Sequence, residues 1–369
     1  MAHPRRILVV RTDRIGDVVL ATPLIRALRE SFPEAYIAAL VHPYTRDVLL
    51  HNPHLNSILV DDGEREHHGM RGFWNQIRAL RKHRFDTALL LLPTERLAWM
   101  LFAAGIRTRV SVGLKLYQVL TFMKTVSRHK YDPLHHEADY CLDLGRVIGI
   151  QSGNLACEVV ITENERIAGG AILHRAGFPR KNGTHTPRLI IIHPGTGRSS
   201  PNWKVEHYAT LTKMCLADPN LWIVVTGNSQ EMEFSPAFEA LDSPRVINLI
   251  GRLTIREMLG VMSWSSLVVS ASTGPMHLAA GLGIPTLSMF CRMSACSVQL
   301  WGPLGNRSEV VLPPVSYCSS RCPGDPHVCQ FEDGITPSIV YNQIPQFLES
   351  TRQAPEVLSH PYLKIASLR

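Results

Sequence analysis

The chain has 369 residues, 45% of them hydrophobic and 19% charged, which suits two domains of ordinary size and excludes a disordered chain. Its longest apolar runs, Ala88 to Leu92 and Leu189 to Ile192, fall far short of the roughly 20 residues that span a bilayer, and MAHPRR leads straight to Ile7–Val10 and Arg11 without an apolar h-region, so the chain reads as cytosolic. Of the net charge of +7, residues 1–180 carry 24 basic and 18 acidic side chains (24 − 18 = +6); this attracts an anionic lipid or an anionic acceptor, while the lack of a Lys/Arg run interleaved with aromatics argues against nucleic acid.

In chain order, strand-like runs at Arg6–Val10, Tyr36–Val41, Ser57–Val60, Thr87–Leu92 and Arg109–Val112 are separated by segments of helical period, notably Gly16–Ser31 and Phe73–His83. Lys181–Pro187 (KNGTHTP) is rich in turn formers and reads as a linker. The alternation then restarts, with strands at Arg188–Ile192, Leu221–Thr226, Val246–Leu249, Leu267–Ser270 and Thr286–Phe290. Helices are predicted at Val205–Leu216, Gln230–Leu241, Ile255–Trp264, Pro275–Leu282 and Ser338–Ser350. The pattern predicts an α/β protein of two Rossmann-like doubly wound domains, 1–180 and 188–345, facing across a cleft, with a tail over 346–369. Ligands of such sheets bind outside the carboxyl ends of the strands.

The first strand-to-helix loop carries Arg11, Thr12, Asp13, Arg14, Gly16 and Asp17. A carboxylate at a helix N-terminus is stabilised by the free N–H groups there, so Asp17 is a candidate general base, and the simpler alternative is that Asp13 or Asp17 caps the helix. Gly16 beside it lets a substrate approach. In the second half, His193-Pro194-Gly195-Thr196-Gly197 forms a small-residue turn suited to a diphosphate, or simply a turn that needs glycine. Ser272, Thr273, Gly274 and Pro275 stand where a strand gives way to a helix, with His277 one turn on, either a ligand or a structural histidine.

These blocks together, RTDRIGDVVLATPL, IIIHPGTGRSSPNWKVEHYATL and SLVVSASTGPMHLAAGLGIPTLSMF, resemble the ADP-heptose:lipopolysaccharide heptosyltransferase family, inverting enzymes of the GT-B fold. The resemblance implies Asp17 as general base toward an acceptor hydroxyl, with Arg11, Asp13, Arg14 and Gly16 on the acceptor side, and a tail over 346–369 that packs back on the first domain. It implies a donor site, for a nucleotide-diphosphate sugar such as ADP-heptose, of Thr196, Gly197, Arg198, Lys204, Glu231, Gly251, Ser272, Thr273, Gly274 and His277. Two positions depart from the family pattern. Many members carry a phosphate-contacting lysine two places before the tryptophan, where this chain has Pro201, which leaves Arg198 and Lys204 as substitute cations; and Ser272 stands where aspartate is usual. The implied acceptor is an anionic, lipid-linked glycan such as the lipopolysaccharide core, reached from the cytoplasmic face of the inner membrane, with Arg71, Arg107 and Arg109 as further candidates to hold it.

No cofactor is expected, and no D-x-D pair occurs in a matching loop, so transfer is predicted to be metal-independent. Cys318, Cys322, His327 and Cys329 could ligate zinc or iron, although C-x3-C-x6-C lacks a paired C-x2-C and a reduced loop is the default. A dinucleotide oxidoreductase is disfavoured because no G-x-G-x-x-G follows the first strand. Three alternatives stay open: another nucleotide sugar, a protein acceptor, or an inactive nucleotide-sugar-binding homologue, against which Asp17 speaks and for which Pro201 and Ser272 speak.

Overall fold

A computed structural model describes residues 3–128, 135–179 and 187–350. The first sheet contains β1 (Arg6–Arg11), β2 (Tyr36–Val41), β3 (Ser57–Val60), β4 (Thr87–Leu90), β5 (Thr108–Val112) and β6 (Lys124–Val126). The second contains β7 (Arg188–His193), β8 (Leu221–Val225), β9 (Val246–Asn248), β10 (Leu267–Ala271), β11 (Thr286–Met289) and β12 (Ser308–Val311). All pairings are parallel, in the orders β3-β2-β1-β4-β5-β6 and β12-β11-β10-β7-β8-β9. The second order read backwards matches the first, so both sheets have the winding of a dinucleotide-binding fold, reversing between β1 and β4 and between β7 and β10. The fold is GT-B, two Rossmann-like lobes facing across a cleft.

The central strands are apolar along their length because helices cover both faces; Ile7 to Val10 and Leu189 to Ile192 are at most 1% exposed. The edge strands β6 and β12 escaped the sequence reading since KTV and SEVV carry little apolar signal, as expected where one side meets water. The expected helix Gly16–Ser31 is two helices, Ile15–Leu20 and Thr22–Ser31. Pro23 has no N–H to continue the ladder, and the Thr22 hydroxyl donates to the Val19 carbonyl instead. Pro236 has a similar effect on Gln230–Leu241, which is a 3-10 turn, Ser229–Phe234, followed by a short helix, Ser235–Glu239.

Helix Glu163–Arg175, grouped with the first half by the linker reading, packs against Ile255–Met262 of the second, where Gly169 and Gly260 let the backbones touch. The last described helix, Pro337–Ser350, buries Val340, Ile344 and Leu348 with Trp203 and Tyr208, so the tail as far as residue 350 belongs to the second lobe. Its expected return onto the first domain would fall on 351–369, and the linker on 181–186, both outside the described residues. Among the described residues no helix is long and apolar enough to cross a membrane.

Candidate functional site

The loops after β1, β7 and β10 converge on one cleft of about 520 Å³. Arg14, Gly16 and Asp17 line it from the first lobe; Ser199, Ser200, Ser272, Thr273, Gly274 and His277 line it from the second, with Ala295, Cys296 and Trp301 closing one side. Asp17 lies in the first turn of helix Ile15–Leu20, but it does not cap that helix: Arg14 is the N-cap and makes no side-chain cap bond. Its Oδ1 instead accepts from Arg11 Nη2 at 2.5 Å, and Oδ2 has no hydrogen-bond partner among the described residues. One oxygen is thus anchored, and the side chain stays 15% exposed at the cleft wall.

Arg11 is the hub of a buried charge cluster. Its guanidinium, 3% exposed, donates to Asp13 at 2.8 Å, to Asp17 at 2.5 Å and to Glu137 at 3.0 Å, and Glu137 also pairs with Arg128. Burial alone would lower the Arg11 pKa, but the surrounding carboxylates hold it well above its ordinary value. Burial, reinforced by the charge of Asp17, pushes the Asp13 carboxyl up to about 6 against the pull of Arg11. Arg11 therefore does not reach an acceptor, contrary to the expectation for it; with each of its nitrogens on a carboxylate and Nη1 also on the Cys141 sulfur, it fixes Asp17 in place.

On the opposite wall, the Ser200 hydroxyl donates to the Ser272 carbonyl at 2.7 Å, tying the loop after β7 to the one after β10, and the Ser199 hydroxyl donates to the Thr196 carbonyl at 2.7 Å within its own loop. Thr273 is the N-cap of helix Gly274–Gly281 yet makes no side-chain cap bond. His277 is 5% exposed, with Nδ1 buried and unpartnered among the described residues. Burial, with His136 nearby, lowers its pKa to about 4, so it stands there as a neutral imidazole. A carboxylate facing hydroxyls, a glycine-started helix and a neutral imidazole can accept a proton on one side and hold an anionic leaving group on the other.

Residues 73–322 match glycosyltransferase family 9 (heptosyltransferase). The chain belongs to this family. It is 22% identical over 319 residues to lipopolysaccharide heptosyltransferase 2 of Escherichia coli, covering 83% of this chain and 87% of that one. Among solved structures it resembles a family 9 glycosyl transferase from Veillonella parvula (19% identity, TM-score 0.77, covering 94% and 98% of the two chains). It also resembles E. coli ADP-heptose lps heptosyltransferase II (20% identity, TM-score 0.74, covering 95% and 100%).

Not every residue expected at this glycosyltransferase's donor site reaches the cleft. Gly197 and Arg198 form the exposed crest of the loop after β7, at φ of 53° and 57°, with Thr196 half-buried beside them and outside the cleft lining. Lys204 is exposed at the N-cap of helix Val205–Cys215. Neither substitute cation lines the cleft, because the turn carries Arg198 outward while Ser199 and Ser200 point in; Arg14 is the cation in the lining. Glu231 is 8% exposed under Gly195, accepting from the Asn228 N–H at 2.8 Å, and burial raises its pKa. Gly251 serves a turn at φ 71° against Met232.

Gly16, expected to let a substrate approach, and Gly274, expected at the donor site, both line the cleft and also let the lobes touch, since a Cβ on Gly16 would meet His277 and one on Gly274 would meet Ile15. Of the further arginines, Arg109 is buried and donates to the Thr121 carbonyl, so it does not face an acceptor, whereas Arg71 and Arg107 are exposed. Among the described residues no three His, Cys, Asp or Glu side chains gather as metal ligands; His327 instead bonds the Arg198 carbonyl at 3.0 Å and Cys329 is buried. Ser199 and Ser200 were missed although they follow Arg198 directly, while Ala295, Cys296 and Trp301 carried no sequence signal.

Proposed function

We propose that this glycosyltransferase is an inverting heptosyltransferase, taking heptose from ADP-heptose to an anionic lipid-linked glycan of the lipopolysaccharide core, at the cytoplasmic face of the inner membrane. The observation that carries the reading is that Asp17 and the segment Ser272–His277 line one cleft from opposite lobes. In an in-line displacement the acceptor oxygen attacks the anomeric carbon while Asp17 takes its proton. The anomeric C–O bond breaks with its electron pair going to the nucleoside diphosphate. The hydroxyl of Thr273 and the guanidinium of Arg14 receive that growing charge, while Ser199 and Ser200, whose hydroxyls donate to the Thr196 and Ser272 carbonyls, shape the wall behind them; no step requires a metal. Donor recognition as ADP-heptose is supported by the resemblance to the E. coli enzyme named for that donor. The nucleotide lobe of this reading extends from helix Glu163–Arg175 onward, since that helix packs with it.

The test is transfer from ADP-heptose to a delipidated core oligosaccharide, with the anomeric configuration of the product read by NMR. Asp17→Asn should keep its melting temperature and its affinity for ADP while turnover falls on the order of 10²–10⁴-fold, the range for loss of a general base. Unchanged turnover in that variant, or a product of retained configuration, would overturn the mechanism.

A further inference from the structure

The connection between β5 and β6 is folded with its polar side inward. In helix Leu116–Leu120, Gln118 is fully buried and its amide donates to Ser111 Oγ at 2.8 Å and to the Val112 carbonyl at 2.9 Å. The Tyr117 hydroxyl donates to the Pro93 carbonyl at 2.9 Å. Thr121 is buried, and its carbonyl accepts two bonds from Arg109, at 3.1 and 2.6 Å. The apolar side chains take the other face: Leu114 and Leu116 are 75% exposed, Phe122 76%, Val119 55% and Leu120 51%. A helix on the surface of a water-soluble lobe has the reverse arrangement. Phe122 is also held at φ 53°, a region that bulky side chains avoid, so backbone strain accompanies its display to solvent.

Charge indicates what covers this face. From Arg96 to Tyr131 the sequence has seven Lys and Arg residues and no Asp or Glu. Of these, Arg107, Lys115 and Lys124 are exposed, Lys115 within the apolar segment and Lys124 two residues beyond it. Exposed apolar groups in a basic segment without acidic residues match a bilayer whose headgroups are anionic. The location fits as well. β5 runs parallel to β1 with β4 between them, so Leu114 emerges at the same sheet edge as the Asp17 loop, about 10 Å to the side at the usual strand spacing.

We propose that Leu114–Phe122 is a membrane-docking surface, placing Leu116, Val119, Leu120 and Phe122 among the acyl chains of an anionic bilayer with Lys115 and Lys124 at the headgroups. Docked in this way, the cleft opens beside the bilayer, where a lipid-anchored acceptor resides; that purpose rests on the transferase reading, while the surface itself does not.

The experiment is flotation of the full chain with extruded vesicles of phosphatidylethanolamine and phosphatidylglycerol, or of phosphatidylcholine alone. The wild type should float with the anionic vesicles and bind them less in high salt. L116E/F122E should lose at least tenfold in partitioning while its melting temperature and its turnover on a delipidated acceptor stay unchanged; L116S/F122S serves if the charged pair impairs folding. K115E/K124E should lose the preference for phosphatidylglycerol. Binding by L116E/F122E equal to wild type, no wild-type binding to either vesicle, or a wild-type dimer that these substitutions dissociate would each overturn the proposal. A wild type that floats but transfers no sugar would leave the docking surface standing and remove the transferase reading.

Discussion

Gly16 and His277 meet across the lobe boundary so closely that a Cβ on Gly16 would lie 2.7 Å from the imidazole Cδ2. The contact is reciprocated one turn away, where a Cβ on Gly274 would lie 3.2 Å from that of Ile15. Helices Ile15–Leu20 and Gly274–Gly281 therefore touch at their first turns, and the wall bearing Asp17 is set directly against the wall bearing His277.

Gly16→Ala tests this arrangement. The added methyl meets a buried ring with little room to turn, so the lobes must separate or the imidazole must shift, at a cost of about 1–3 kcal/mol for overpacking. A displacement near 1 Å between the two walls lowers turnover by roughly 10²-fold. The expected result is a modest fall in melting temperature with a disproportionate loss of transfer, partly restored in G16A/H277A if the clash is the cause. A G16A enzyme of normal turnover would mean that the contact does not set the geometry of the cleft.

The cation available to the donor diphosphate or to an anionic acceptor is Arg14 rather than Arg198 or Lys204. Charge-assisted hydrogen bonds contribute about 1.5–3 kcal/mol, so Arg14→Ala should lower kcat/KM by roughly 10- to 150-fold. Arg198→Ala and Lys204→Ala should stay within about threefold of wild type, as exposed charges contribute little. The reverse ranking in steady-state kinetics would show that the loop after β7 turns inward when substrate binds.

Much of this site was legible because strand-to-helix loops are short and bring neighbouring residues to one sheet edge: Asp17, Ser272, Thr273, Gly274 and His277 were all read from local motifs and all reach the cleft. Arg11 and Arg109 were misread for a shared reason. Arginine near the end of a strand looks like a ligand-binding cation, yet the partners that consume these two, Glu137 and the Thr121 carbonyl, lie 126 and 12 residues along the chain. The roles of Gly16 and Gly274 depended on how the lobes dock, which no local pattern encodes. Arg198 and Ser199 show the limit from the other side, because a single turn at positive φ decides which of two adjacent side chains faces inward.

Arg11→Met removes the one cation shared by Asp13, Asp17 and Glu137 while keeping much of the side-chain volume. Carboxylates left buried without their partner destabilise a fold by about 3–5 kcal/mol, so the variant should unfold at markedly lower urea concentration. Acidification should narrow that deficit, since protonating the stranded carboxyls removes the uncompensated charge. Arg11→Lys should recover only part of the loss, because one ammonium cannot address three carboxylates in the fork geometry of a guanidinium. Equal stability of wild type and R11M near neutral pH would show that the cluster is solvated and that Arg11 does not hold Asp17.

His193 offers a pH test apart from the cleft. It is 6% exposed, its Nδ1 lies 3.0 Å from Thr226 Oγ1, and burial lowers its pKa from 6.5 to about 4. In the unfolded chain this imidazole takes up a proton as pH falls through 6.5, whereas in the fold it does so only near 4; between these values the unfolded state binds more protons, and stability falls with pH. For this residue alone the loss amounts to about 2 kcal/mol at about pH 5. His193→Gln keeps a hydrogen-bonding amide and cannot titrate. Its stability relative to wild type, from urea midpoints, should therefore improve by about that amount between about pH 7.5 and about pH 5. Parallel pH profiles for the two proteins would show that His193 takes up its proton at an ordinary pH within the fold.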